Sequence, residues 1–326
     1  GCQPRCGTYQ DSGFHEASMA LNRVIARTYP YLKTNLLIGR ELTRKYPDVL
    51  TKVKQLFFHK IGGFALSQTS PIIIYVYTTL TVVALYGNYM LIVMGVQTLM
   101  TAMFNSMNAG IGNLVAEGDK RKIMSVFAEL FSIRFLFSCI MCFGVLMITP
   151  AFVSFWIGKK YVMDSLSLLL MTAILFVNLS RTTVDAYINA YGLFGDIWAP
   201  IVEASLNVGL SIILGYYFGL HGVLSGVLIS LLLVVFCWKP YYLFRKGLDE
   251  RLSIYIFMYA RHLMAALLCG VIVCLGMRYS MVQGDTTFFD GLLGILVFSI
   301  LSTLTLLCVA PGMRNLMRRF IRMCHV

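Results

Sequence analysis

Arg181 and Asp185 lie four residues apart in the run LFVNLSRTTVDAYINAYG, residues 175–192, with Asn178 and Asn189 on either side of them. On a helix all four recur at three- to four-residue spacing and share one face. The flanking stretches are almost wholly apolar, and an ionisable side chain in hydrocarbon needs a counter-charge or a water-filled cavity. Few other residues raise the same question. Glu129, Arg134 and Glu203 are charged, and Gln68, Gln97, Asn105, Asn108, Asn113 and Asn207 carry amides within apolar runs. Such a set can form ion pairs, hydrogen-bond through its amides, exchange a proton or cation at its carboxylates, or attract an anion with its arginines.

Catalytic chemistry has less to stand on. The histidines at 15, 59, 221, 262 and 325 read mostly as loop or interface residues, with no carboxylate or nucleophile at a useful spacing. Cys139 and Cys142 form a C-x-x-C pair in the middle of an apolar helix, which offers no second ligand pair, so they read as small core residues. The chain is therefore expected to be no enzyme and to need neither metal nor cofactor.

Composition sets the elements that must position the polar residues. With 58% hydrophobic residues, 13% charged and a mean hydropathy of +0.75, the chain lies outside the range of soluble domains. The expected fold class is an all-α polytopic membrane protein, because only helices or closed barrels satisfy the backbone in hydrocarbon. A span takes about 20 apolar residues. Eight are expected: I at 57–83, II at 87–115, III at 124–149, IV at 165–190, V at 198–217, VI at 221–238, VII at 256–277 and VIII at 288–310. Residues 61–116 contain no charged residue or histidine. At 1.5 Å per residue they would make a helix of roughly 84 Å, so they must fold back, and Tyr86-Gly87-Asn88 is the expected turn.

Lysines and arginines divide unequally between the two sets of connections. One set holds Lys120, Arg121, Lys122, Lys239, Arg245, Lys246 and Arg251 together with both basic flanks, and the other only Lys159, Lys160 and Arg278. Excess positive charge marks the cytoplasmic side, which predicts both termini of this chain in the cytoplasm. The net charge of +12 then belongs to the membrane surface, and no nucleic-acid partner is expected. LTRKYPDVLTKVKQLFF reads as an amphipathic surface helix leading into span I. PAFVSFWIGKKYVMD, at 150–164, reads as an interfacial segment between III and IV. The tail MRNLMRRFIRMCHV alternates arginine with apolar residues. That pattern suits a topology signal first and a surface anchor on anionic lipid second.

Spans IV and V are joined by a tight connection at Gly192–Asp196 and must run antiparallel. Residues equidistant from its centre share a depth, which sets Asp185 level with Glu203 and Arg181 level with Asn207. The polar face of span IV then has two readings. Either Arg181 neutralises Asp185 and Glu203 in a closed network between helices, or the face lines an aqueous cavity.

Three runs carry a family resemblance: FFHKIGGFALSQTSPIIIYVYTTLTVVALYGNYMLI, NAGIGNLVAEGDKRKI, and above all AYGLFGDIWAPIVEASLNVGLSIILGYYFGLHGVLSGVLIS. In the third, Pro200, Glu203 and Asn207 are followed by a Gly219-Leu220-His221-Gly222-Val223 turn and by Gly226 and Ser230. From about Tyr29 onward the chain resembles the second half of a bacterial polysaccharide flippase. The likeness is to the Wzx-type O-antigen and capsule exporters of the multidrug/oligosaccharidyl-lipid/polysaccharide superfamily.

The resemblance implies a transporter of two six-helix lobes that flips an undecaprenyl-diphosphate-linked oligosaccharide across the bacterial inner membrane. Residues 1–56 would connect the lobes and 57–238 would be the second lobe. Residues 239–255 would form a cytoplasmic loop, 256–310 two additional spans and 311–326 a basic tail. Arg134 and Arg181, with Asn178, Asn105, Asn108 and Gln68, become candidate substrate contacts. Asp185, Glu203, Asn207 and Glu129 become coupling or network residues. The partners implied are the lipid-linked oligosaccharide, the bilayer, a first lobe absent from this chain and polysaccharide-assembly proteins. The chain is accordingly expected to be a C-terminal portion. Two alternatives stay open: a drug or metabolite antiporter of the same architecture, and a membrane scaffold subunit that transports nothing.

Overall fold

The computed structural model describes residues 45, 47–196, 198–281 and 288–324, without the side chains of 47–49, 56, 58–68, 278–281, 288–289, 320 and 323–324. The chain divides into residues 1–54 and residues 55–326. The expected connecting segment 1–56 falls mostly outside the described residues. Helices make up nearly all of what is described, and no strand occurs among those residues.

In chain order the helices are α1 (Pro47–Tyr77), α2 (Leu80–Glu117), α3 (Lys120–Trp156), α4 (Ser165–Ser180), α5 (Thr182–Tyr191) and α6 (Trp198–Ser230). A π-helical stretch, Leu231–Trp238, leads into α7 (Lys239–Leu243) and a second π-helical turn, Phe244–Leu248. Then come α8 (Leu252–Met281), α9 (Phe288–Val309) and α10 (Pro311–Cys324). Six continuous helical runs among the described residues are long and apolar enough to cross a membrane. The chain is an all-α polytopic membrane protein.

One of those runs, Trp198–Leu248, contains two of the expected spans. It folds back at Gly219, whose φ of 55° and ψ of −129° no helix accommodates. Gly222 and Gly226 then pack against the backbone of Leu214 and of Leu210–Ser211, so closely that a Cβ on Gly222 would stand 1.9 Å from the Leu214 carbonyl oxygen. Ser211 Oγ donates to the Val223 carbonyl at 3.3 Å and Asn207 Nδ2 to Ser230 Oγ at 3.3 Å. Small residues at four-residue spacing let two membrane helices approach, and the flanking polar side chains bond across the seam. The expected turn at 219–223 is therefore present, built on this close approach.

The boundary between the first two helices lies elsewhere than expected. Thr79, in extended backbone, caps α2 by accepting a hydrogen bond from Val82 N at 3.4 Å, and Thr78 Oγ1 closes α1 on the Ile74 carbonyl at 2.6 Å. The Thr78-Thr79 pair supplies cap chemistry that Gly87 lacks, and Gly87 stays inside α2. Pro150–Trp156, the first half of the expected 150–164 segment, continues α3. Of the LTRKYPDVLTKVKQLFF run, the part from Pro47 on belongs to α1.

Two ends can be distinguished. At one, Lys120 Nζ pairs with Asp249 at 2.8 Å, joining the α2–α3 turn to the turn before α8. At the other, His221 Nε2 lies 2.7 Å from Asp164, and Tyr89 OH accepts from Met163 N at 2.9 Å. Central α3 is lined with aromatics: Phe127, Phe131 and Phe135 meet Tyr187, Phe244, Tyr255 and Tyr259, and Phe143 stacks on Phe298 of α9 at 4.3 Å. Hydrocarbon is as apolar as these rings, so complementary packing is what favours the assembly. Cys139 and Cys142 lie in the two main apolar clusters. His262, expected at a loop or interface, is instead fully buried inside α8, where Nδ1 donates to the Met258 carbonyl at 2.7 Å and Ser132 Oγ lies 2.9 Å from Nε2.

Candidate functional site

Two helices supply most of the polar side chains. The break at Arg181 divides the fourth span into α4 and α5, and Gly192, in the left-handed region at φ 62°, ends α5 with its N–H on the Asn189 and Ile188 carbonyls. Only a glycine takes that conformation without strain, and it turns the chain sharply into α6. Asn178, Arg181, Asp185 and Asn189 of the α4–α5 face then oppose Glu203 and Asn207 of α6, and all six line one cavity of about 680 Å³. Ser70 of α1, Gln97 of α2, Asp196 and Lys239 complete its polar wall.

Asp185 is the hub. Its Oδ2 lies 3.3 Å from Arg181 Nε and its Oδ1 3.2 Å from Lys239 Nζ, in a setting where the three side chains keep 30%, 29% and 19% of their exposure. One carboxylate thus holds two cations at the cavity wall. Asn178 donates to the carbonyl of Ile174, on its own helix, at 3.0 Å. Asn207 is buried; its amide nitrogen is spent on Ser230, while its Oδ1 has no partner among the described residues. A buried amide acceptor in that state suits a donor arriving through the cavity.

Lys239 and Asp196 join the residues that the sequence singles out. Lys239 looked like a loop residue, but the chain stays helical to Leu248, and the π-helical stretch before it re-aims this position at Asp185. Asp196, in the tight connection, is buried and accepts from Trp238 Nε1 at 3.3 Å. Trp198 and Trp238 pack edge to face, with ring centres 4.5 Å apart, across the same end.

Among the other candidates, Arg134, Glu129, Asn105 and Asn108 do not line the cavity. Arg134 is 2% exposed and donates to the Thr182 carbonyl at 2.9 Å, Asn108 Oδ1 at 3.2 Å and the Phe104 carbonyl at 3.5 Å, above the Phe104 ring, while its Nε has no partner among the described residues. It fastens α2 and α3 to the start of α5, and a desolvated cation with such partners is a brace. Glu129 is buried on α3, receives Ser125 Oγ at 3.1 Å and pairs with Arg319 of α10 at 3.3 Å. The side chain of Gln68 lies outside the described residues.

Asn105 and Asn108 belong to a different surface. On α2 the half-turn holding Gln97, Thr101, Asn105, Asn108 and Asn113 is polar or small, and apart from partly covered Gln97 these residues are exposed. It runs for roughly 24 Å along the helix. The opposite half of α2 buries Met100, Phe104, Ile111 and Leu114. Gln97 belongs both to this face and to the cavity wall.

No family model, curated protein or solved structure matches the chain.

Proposed function

We propose that this chain forms one lobe of an exporter that moves a lipid-linked oligosaccharide across the bacterial plasma membrane, with the basic end in the cytoplasm. The carrying observation is the continuity at Gln97 between the polar cavity and the amide-rich face of α2. An exposed row of uncharged amides at membrane depth is costly against lipid and serviceable against water and sugar hydroxyls. The free Oδ1 of Asn207 adds an acceptor on the same route. Arg134 is committed to protein acceptors, so the anionic head group of the substrate meets Arg181 and Lys239, and Asp185 must release them. The family likeness of the third sequence run supports the same reading.

One observation favours a second reading. The cavity wall holds three carboxylates, Asp185, Asp196 and Glu203, against two cations, Arg181 and Lys239. That balance suits a cationic drug or an exchanged cation better than a diphosphate. The test is Arg181→Ala in cells whose surface polysaccharide depends on this chain. Lipid-linked oligosaccharide is expected to accumulate on the cytoplasmic face, measured by lectin labelling of right-side-out and inverted vesicles. Undiminished export from a normally abundant variant rules the proposal out in favour of a scaffold, and accumulation of a cationic dye with intact glycan export favours the antiporter.

A further inference from the structure

The basic tail is a built element. Pro311 starts α10 directly after Ala310, leaving no loop between it and α9. Gly312 lies against the Ala128 carbonyl of α3, where a Cβ would come within 2.3 Å, and Met313 is buried with Leu136, Ala265 and Leu306. Arg319 reaches the buried Glu129 at 3.3 Å. These contacts fix both the position of the helix and its rotation about its axis.

At about 100° per residue, three sides follow. Gly312, Leu316 and Arg319 turn toward the bundle. Met317 and Ile321, 38% and 49% exposed, form an apolar strip beside it. Arg314, Arg318 and Arg322 are exposed on the third side, which adjoins that strip. The helix is held against the bundle with an apolar strip and a cationic strip side by side, and these are the two surfaces met at the boundary between acyl chains and phosphates.

We propose that α10 is an anchor for an anionic lipid surface, with Met317 and Ile321 in the acyl boundary and Arg314, Arg318 and Arg322 on headgroup phosphates. Charge complementarity selects this occupant, because three exposed guanidiniums on one side, with no exposed acid between Pro311 and Arg322, match a layer of anionic headgroups. The Arg319–Glu129 pair tethers the anchor to α3, so lipid contact bears directly on the helix at the centre of the bundle.

The full chain, carrying a C-terminal epitope tag, is reconstituted in nanodiscs and digested with chymotrypsin, and cleavage within 316–320 is followed as loss of the tag. With about 30% phosphatidylglycerol, cleavage is expected to be at least about tenfold slower than in phosphatidylcholine, and most of the difference should vanish at about 1 M salt. Arg314→Gln/Arg318→Gln/Arg322→Gln is expected to abolish the lipid dependence without lowering the melting point in phosphatidylcholine. Met317→Asn/Ile321→Asn should reduce protection in both lipids. Equal rates for the wild type in the two lipids overturn the proposal. So does lipid dependence that survives the triple substitution, or protection that appears only when membrane proteins are added back.

Discussion

Replacing Asp185 with asparagine tests whether one carboxylate governs the two cations of the cavity. At 3.2 and 3.3 Å, each contact is worth about 5 kcal/mol in gross Coulomb attraction at an effective dielectric of about 20. Desolvation of the three groups offsets most of this, and all of them keep some contact with the cavity. Fully buried pairs cost about 3–5 kcal/mol to break, so for this partly open site Asp185→Asn is expected to destabilise the chain by about 1–3 kcal/mol. The cost arises largely because Arg181 and Lys239 are left facing each other. Lys239→Met in the same background is therefore expected to recover about 1 kcal/mol or more, so that the double variant is far from additive. Unfolding in micelles, followed by circular dichroism against added dodecyl sulfate, measures all four corners of the cycle. Pyrophosphate supplies a second readout: it should raise the melting point of Asp185→Asn clearly and that of the wild type little, because only the variant has both cations released. Additive substitutions and a variant blind to pyrophosphate would show that Asp185 does not hold Arg181 and Lys239 as a unit.

Two further predictions concern the frame around the cavity. Gly222→Ala places a Cβ 1.9 Å from the Leu214 carbonyl oxygen, so the hairpin must open, and a loss of about 2–4 kcal/mol is expected in the same unfolding assay. Gly209→Ala, where nothing lies within 4 Å, is expected to be neutral or stabilising by up to about 1 kcal/mol, and an equal loss at both positions would refute the close-approach argument. At the opposite end, burial would raise the Asp164 carboxyl, but hydrogen bonds from His221 and Ser167 outweigh it and lower it from 3.8 to about 2. A depressed acid contributes stability above its unfolded value, and that contribution is lost as pH falls through the folded one. The wild type should thus lose melting temperature between about pH 4 and pH 2 more steeply than Asp164→Asn, and parallel profiles would exclude the pair as a clamp.

The cavity was legible where helical period and connection length both spoke. The spacing of Asn178, Arg181, Asp185 and Asn189 gave one face, and the five residues from Gly192 to Asp196 set its depth against Glu203 and Asn207. All six line the same space. The partners of Arg134 are not legible, because a buried arginine carries no mark of what surrounds it. Its acceptors, the carbonyl of Thr182 48 residues away and Asn108 Oδ1 on α2, belong to other helices, to which no local spacing points. Glu129 has the same history, since its partner comes from a tail that pattern alone made a topology signal.

Lys239 shows where a helical template fails in principle. Reading a face from sequence assumes a constant angle per residue, and a π-helical stretch, closing its hydrogen bonds one residue later, breaks that assumption. Across Leu231–Trp238 each turn is wider, and the Lys239 N–H reaches back to the Val234 carbonyl, five residues away. A position that a regular helix would aim elsewhere is thereby brought to Asp185. The slip also explains how span VI can present Gly222, Gly226 and Ser230 to span V at four-residue spacing and still deliver a lysine to the cavity. The seam needs one helical phase and the ion pair needs another, and the wide turns between them reconcile the two.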